Sequence, residues 1–321
     1  MKKYTVLVIA IVFVILWASA CSPKTEATPT EVIAEETKAP EVQPSAAPAE
    51  PTTAVETKVT SDPVITESNG LSPEPQEFEF QAMDGRMLEG IYYPAASNPA
   101  PLVIFMHWVN GDMHDWNELS VWLQNRGQKN PYTNPGNVPW LDPTWFPVVP
   151  ADRSYGVFIF TFRGCKGMTE GGCGEWDIQG WMQDIEGVMM YAPFLEGVDQ
   201  ERIAVIGSSI GADGAAYGCL FLSKQFPGSC KGALSLSPGS YLVHDYADVV
   251  EDLGKLQPSS AAWCLADEGE IGICKRAVTD DNPLYKYYEI PGGGHGNSLI
   301  SPKLSPLPMD LILEFLAEVL Q

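Results

Sequence analysis

The chain has 321 residues, 45% of them hydrophobic, and carries 41 Asp and Glu against 19 Lys and Arg, a formal net charge of −22. That length holds one large domain or two ordinary ones. So acidic a balance argues against nucleic acid or polyanionic substrates as partners, because long-range repulsion opposes both, and it says nothing about fold.

Residues 1–20 contain Lys2 and Lys3, an apolar stretch from Val6 to Trp17, and the small residues Ala18, Ser19 and Ala20 ahead of Cys21, which is the pattern of an export signal. A cysteine directly after the small-residue site resembles the bacterial lipoprotein signal, with Ala18 standing where leucine is commoner. The resemblance implies lipidation of Cys21 and a cell-envelope protein held by that anchor on the outer side of a bacterial membrane. An uncleaved anchor or an ordinary signal peptide would export the chain equally. Residues 21–75 are rich in Thr, Pro, Glu and Ala and poor in aromatics. They bury too little apolar surface to offset their ordering entropy, so the reading is a disordered tether. The folded domain is then residues 76–321.

Residues 76–94 alternate Phe78 and Phe80, turn at Asp84 and Gly85, and continue extended, which predicts a β-hairpin. Residues 101–106, PLVIFM, form a short continuous apolar run, expected of a strand buried on both faces. A loop from His107 to Gly111 leads into a helical pattern around Trp116, Leu119, Trp122 and Leu123. Residues 127–155 break the regularity with repeated prolines and the aromatics Tyr132, Trp140, Trp145 and Phe146, and read as an insertion overhanging the site. A buried strand at 156–160, a glycine-bearing loop at 161–167 and a helix at 181–191 follow. Next come a strand ending at Ile206, strands at 232–236, 261–265 and 285–290, and a closing helix at 309–320. Strands alternating with helices predict an α/β fold: a mostly parallel sheet of about eight strands, covered on both faces and opened by an antiparallel hairpin. Active sites in such sheets lie at the carboxyl ends of the strands.

Beyond Cys21 there are six cysteines, Cys165, Cys173, Cys219, Cys230, Cys264 and Cys274. An even number in an exported domain argues for disulfides, and pairing of neighbours along the chain is the simplest arrangement among 15. Zinc is the competing reading, disfavoured by the lack of a CxxC pair and the scarcity of histidine.

The chemistry centres on residues 202–217, RIAVIGSSIGADGAAY, which read as strand, tight turn and helix. In the spacing Gly207-Ser208-Ser209-Ile210-Gly211 the middle serine sits at a strained corner where larger neighbours would clash. An acid follows in Asp267-Glu268-Gly269-Glu270 after a strand, and then a histidine in Gly293-Gly294-His295-Gly296. A serine hydroxyl needs a base to take its proton, and the base needs a carboxylate to hold its tautomer.

These motifs resemble the α/β-hydrolase superfamily, most closely its dienelactone-hydrolase-like and small esterase or lipase branches, over residues 76–321. The resemblance implies Ser209 as nucleophile, His295 as base and Glu270 as its carboxylate, with Asp267 and then Glu268 as alternative acids. It also implies an oxyanion hole from the backbone N–H groups of Trp108 and Ile210. Arg163-Gly164-Cys165-Lys166-Gly167 resembles the family's Arg-Gly-x-Gly loop. Two departures stand out. Trp108 replaces the usual glycine, so either its indole lines the acyl pocket or its loop takes another path, and Thr161 stands where relatives often have aspartate. His107 is expected to brace its loop, and His114 and His244 to be exposed or capping. Trp116, Trp122 and Trp181 are expected in the core.

The first expectation is an exported serine hydrolase acting on a small-molecule carboxylic ester through an acyl-enzyme. It needs no cofactor or metal. Peptide or amide hydrolysis by the same residues, and a catalytically silent ligand-binding lipoprotein, are the alternatives.

Overall fold

The computed structural model describes residues 70–134 and 136–321. The export signal, Cys21 and most of the tether lie outside the described residues.

Strands β1 (Gln76–Gln81) and β2 (Met87–Tyr93) form the expected hairpin around Asp84 and Gly85, where Gly85 takes the positive φ of 85° that the turn requires. The strands β3 (Ala100–Met106), β4 (Gly156–Phe160), β5 (Val198–Ser208), β6 (Cys230–Leu236), β7 (Ala261–Ala266) and β8 (Tyr285–Glu289) complete an eight-stranded sheet of order β1-β2-β4-β3-β5-β6-β7-β8. The β1–β2 and β2–β4 pairings are antiparallel and the rest parallel. Helices α1 (Asn117–Gln124), α2 (Ile178–Tyr191), α3 (Ile210–Gln225), α4 (Tyr246–Lys255), α5 (Gly272–Arg276) and α6 (Pro308–Val319) lie in the connections and after β8. This is the architecture of the α/β-hydrolase fold.

The two-residue period of a strand divides the core into two layers. Leu102, Ile104 and Met106 of β3 meet Ile185, Val188, Ala215 and Cys219 on α2 and α3, whereas Val103 and Phe105 pack with Leu119 and Leu123 of α1 and Phe315 of α6. Every residue of β3 and of β4 is buried, which is why both segments are apolar throughout. Burying each such aliphatic side chain contributes roughly 1.5–3 kcal/mol. Strand β8 is half exposed at the sheet's edge and correspondingly carries Lys286 and Glu289.

The folded part starts earlier than position 76. The Leu71 carbonyl accepts from Arg126 Nη1 and the Pro73 carbonyl from Gln124 Nε2, each at 2.8 Å, so the last residues of the assigned tether are tied to the domain. The cysteines pair locally as Cys165–Cys173, Cys219–Cys230 and Cys264–Cys274. The second bridge joins α3 to β6 and the third joins β7 to α5.

Residues 127–155 contain two short helical turns, Pro139–Leu141 and Pro143–Trp145. Prolines lack the N–H that a longer element needs, and side chains hold the segment instead. Trp122 Nε1 donates to the Pro147 carbonyl at 2.6 Å, and Trp145 Nε1 to the Pro139 carbonyl at 2.9 Å. The insertion is packed into the domain: Trp140, Leu141, Val149 and Tyr155 are core residues of the layer shared with α1 and α6.

Candidate active site

Strand β5 ends and α3 begins at Ser209, whose backbone sits at φ 54°, ψ −116°. A non-glycine residue there is strained by about 1–3 kcal/mol, and such strain persists only where the surroundings impose it. The two glycines of the motif show what imposes it. A Cβ at Gly207 would fall 1.8 Å from the Gly211 carbonyl oxygen, and one at Gly211 would fall 2.3 Å from that of Met106. The first turn of α3 is thus pressed onto the end of β3 with no room for a methyl group. Gly211→Ala is expected to lower the melting temperature by about 6 °C or more, from an overpacking cost of about 3 kcal/mol. A melt within about 1 °C of the parent would show that the contact can relax.

Ser209 Oγ lies 2.8 Å from His295 Nε2, and His295 Nδ1 lies 2.8 Å from Glu270 Oε1. With Glu270 ionised, Nδ1–H donates to the carboxylate and leaves Nε2 to accept the serine proton. Three loops converge to make this chain. β5 presents the serine, the β7–α5 loop presents Glu270, and the loop after β8 presents His295.

The other two carboxylates of the β7–α5 loop bind the histidine loop by its backbone. Asp267 Oδ1 accepts from the Gly269 N–H at 2.9 Å and Oδ2 from the Gly294 N–H at 3.1 Å, and these donors hold its carboxyl below the usual carboxylate range. Glu268 Oε2 accepts from the Gly292 N–H at 2.7 Å. All three acids therefore serve one loop, and Glu270 is the one that meets the imidazole. The Cys264–Cys274 bridge spans their loop from β7 to α5.

Trp108 stands two residues past β3, and its ring lies against the histidine loop: a Cβ at Gly296 would come within 3.0 Å of Trp108 Cε3. Ile210 is the first residue of α3, where the N–H has no intrahelical acceptor. The indole of Trp108 is 8% exposed and donates to Asp115 Oδ2 at 2.8 Å, so it belongs to the interior and does not line an open pocket. His107 is fully buried, which pushes its imidazole down to about 4. Nδ1–H of the neutral ring donates to the Trp108 carbonyl at 2.7 Å, and Nε2 accepts from the Phe162 N–H at 3.0 Å, so it braces the loop as expected. His114 and Tyr132 pack together, and exposed His244 stacks on Tyr217, all without a link to Ser209.

Several supporting residues carry no motif. Ser237, at the end of β6, accepts the Gly296 N–H through Oγ at 3.0 Å. Asp213, one turn into α3 and 4% exposed, accepts the N–H groups of Gly239 and Tyr241, and Tyr241 stands edge-on to His295 with centroids 6.2 Å apart. Arg163 pairs with both Asp84 and Asp184, fixing the loop that carries Cys165. A charged residue set among the small residues of 211–216, four positions after the serine, is the sequence signal that would have marked Asp213. Among the described residues no three His, Cys, Asp or Glu side chains gather as a metal-binding group, and no helix is long and apolar enough to cross a membrane.

No protein-family model matches the sequence, and no curated protein is detectably similar to it. Solved structures are similar in fold. An α/β hydrolase of Penicillium sp. aligns at a TM-score of 0.54 and 12% identity, over 77% of this chain and 99% of its own. A thermostable carboxylesterase cloned from a metagenomic library aligns at 0.52 and 14%, over 79% and 91%. An esterase of Pyrococcus furiosus aligns at 0.51 and 16%, over 77% and 94%.

Proposed function

We propose that this chain is an exported serine hydrolase that cleaves carboxylic esters through an acyl-enzyme. The observation that carries the reading is the continuous path from Glu270 through His295 to Ser209, two contacts of 2.8 Å ending on a strained β5–α3 corner. Fold neighbours described as esterases favour an ester over an amide.

In this reading Ser209 Oγ attacks the ester carbonyl carbon while His295 Nε2 takes its proton, and Glu270 stabilises the imidazolium. The N–H groups of Trp108 and Ile210 bind the oxyanion. Collapse of the tetrahedral adduct breaks the bond to the alcohol, which leaves with the proton from His295. A water molecule then gives its proton to His295 and attacks the acyl group on Ser209, and a second collapse releases the acid as His295 returns that proton to Ser209 Oγ. Each N–H aimed at the developing charge is worth about 10²–10³ in rate.

Export by a lipoprotein-type signal, with anchoring through Cys21, completes the proposal. Three disulfides in the folded domain support an oxidising compartment.

The test is hydrolysis of p-nitrophenyl esters from acetate to decanoate, together with labelling by a fluorophosphonate probe. The expected result is turnover with one preferred chain length and a single adduct on the peptide that holds Ser209. Labelling without ester turnover would move the assignment to amides, and neither would leave a ligand-binding protein.

A further inference from the structure

Trp108 occupies the position where a glycine would leave the peptide free to turn, and here its side chain is gripped from several directions. Nε1 donates to Asp115 Oδ2 at 2.8 Å, and the ring meets Trp140 of the insertion edge-on at 5.9 Å. Its carbonyl accepts from the Gly111 N–H at 3.1 Å and from His107 Nδ1 at 2.7 Å. The next residue, Val109, accepts from the Cys173 N–H at 2.8 Å. The carboxylate lies directly over the tight part of this loop: a Cβ at Gly111 would fall 1.8 Å from Asp115 Oδ2 and 2.7 Å from Trp108 Nε1.

Resting on the reading of Ser209 as nucleophile, we infer that Asp115 is a positioning residue for the oxyanion hole: by holding the Trp108 indole it fixes the backbone N–H of Trp108 relative to that of Ile210. Asp115 is suited to this because it is 4% exposed and belongs to the helical turn Met113–Trp116, which leads directly into α1. An apolar residue would fill the space without the desolvation cost of a buried carboxyl. The carboxyl supplies what an apolar residue cannot, a directional acceptor for the indole. Burial pushes that carboxyl up to about 7, and the carboxylate and the carboxylic acid each have an oxygen that can accept. The role therefore requires an acceptor and not a charge.

This distinguishes the variants. Asp115→Leu and Trp108→Phe, which remove acceptor and donor respectively, are each expected to lower kcat by about 10- to 100-fold with KM within about twofold, since misplacing one oxyanion donor forfeits part of the 10²–10³ it supplies. Asp115→Asn keeps an acceptor oxygen and is expected to stay within about fivefold of the parent. The Trp108→Phe/Asp115→Leu double variant is expected to be no more than about threefold worse than either single change, because both break one hydrogen bond. Affinity for a phenylboronate, whose serine adduct is tetrahedral and anionic, should fall in parallel with kcat. Multiplicative losses in the double variant, or a fall in melting temperature with kcat unchanged, would overturn the inference. If Asp115→Leu does not fold, Trp108→Phe decides: kcat within threefold of the parent overturns it. The parent protein and Ser209→Ala run alongside. An inactive parent overturns the hydrolase reading and this inference together, whereas an active parent with indifferent Asp115 variants overturns the inference alone.

Discussion

Replacing Ser209 with alanine is expected to lower kcat for a p-nitrophenyl ester by about 10⁵–10⁶-fold, with KM nearly unchanged. In the proposed mechanism the serine oxygen is the attacking atom, so its loss would remove the covalent route and leave only what the oxyanion donors and binding supply to water. Stability separates this from a general collapse of the site. Ser209 holds φ 54°, a conformation that glycine adopts freely and alanine does not. Ser209→Gly should therefore be as inactive as Ser209→Ala yet more stable than the parent by about 1 kcal/mol, or about 2–4 °C in Tm. A Ser209→Ala protein that kept more than a tenth of the parent kcat would remove Ser209 from the chemistry. A Ser209→Gly protein melting below the parent would mean that the hydroxyl stabilises the corner more than the strain costs.

The parts legible in the sequence are those where one local pattern has one physical cause. Residues 101–106 and 156–160 read as buried strands because both faces of each are covered, and all their residues are interior. The glycines around Ser209 were legible for a steric reason that the 1.8 Å and 2.3 Å approaches at Gly207 and Gly211 make explicit. Element limits were less so. The strand before Ser209 extends back to Val198, because its polar start, Asp199 to Glu201, looks like a loop until Val198 pairs with Ala100.

What stayed hidden depends on contacts between segments distant in sequence. Nothing around Asp115 announces that it faces Trp108, and nothing in Ser237 announces the Gly296 N–H. The insertion has no periodicity to read, and the edge-on contact of its buried Trp140 with the Trp108 indole joins segments distant in sequence. For the same reason the two alternatives for Trp108, an indole in the acyl pocket or a different loop path, could not be separated before the position of Asp115 was known.

The carboxylates of the β7–α5 loop give the second large effect, and their order tests the assignment of each. Glu270→Gln is expected to lower kcat by about 10³–10⁴-fold with little change in KM, the scale found when a triad carboxylate elsewhere becomes an amide. The amide can still accept from His295 Nδ1–H. It can equally donate to Nδ1, which places the ring proton on Nε2, facing Ser209 Oγ, where it cannot act as base. It also lacks the charge that stabilises the imidazolium. Asp267 has both oxygens engaged by the Gly269 and Gly294 N–H groups, so Asp267→Asn turns one acceptor into a donor facing a donor. That change loosens the loop without touching the imidazole, and a loss of about tenfold is expected, accompanied by a lower Tm. Glu268 makes one exposed bond to the Gly292 N–H, and Glu268→Gln should stay within about threefold. Because Asp267 and Glu268 act on the backbone and Glu270 on the ring, the ranking follows from which atom each carboxylate holds. Glu270→Gln within tenfold of the parent, or Asp267→Asn the more damaging of the two, would transfer the role to Asp267.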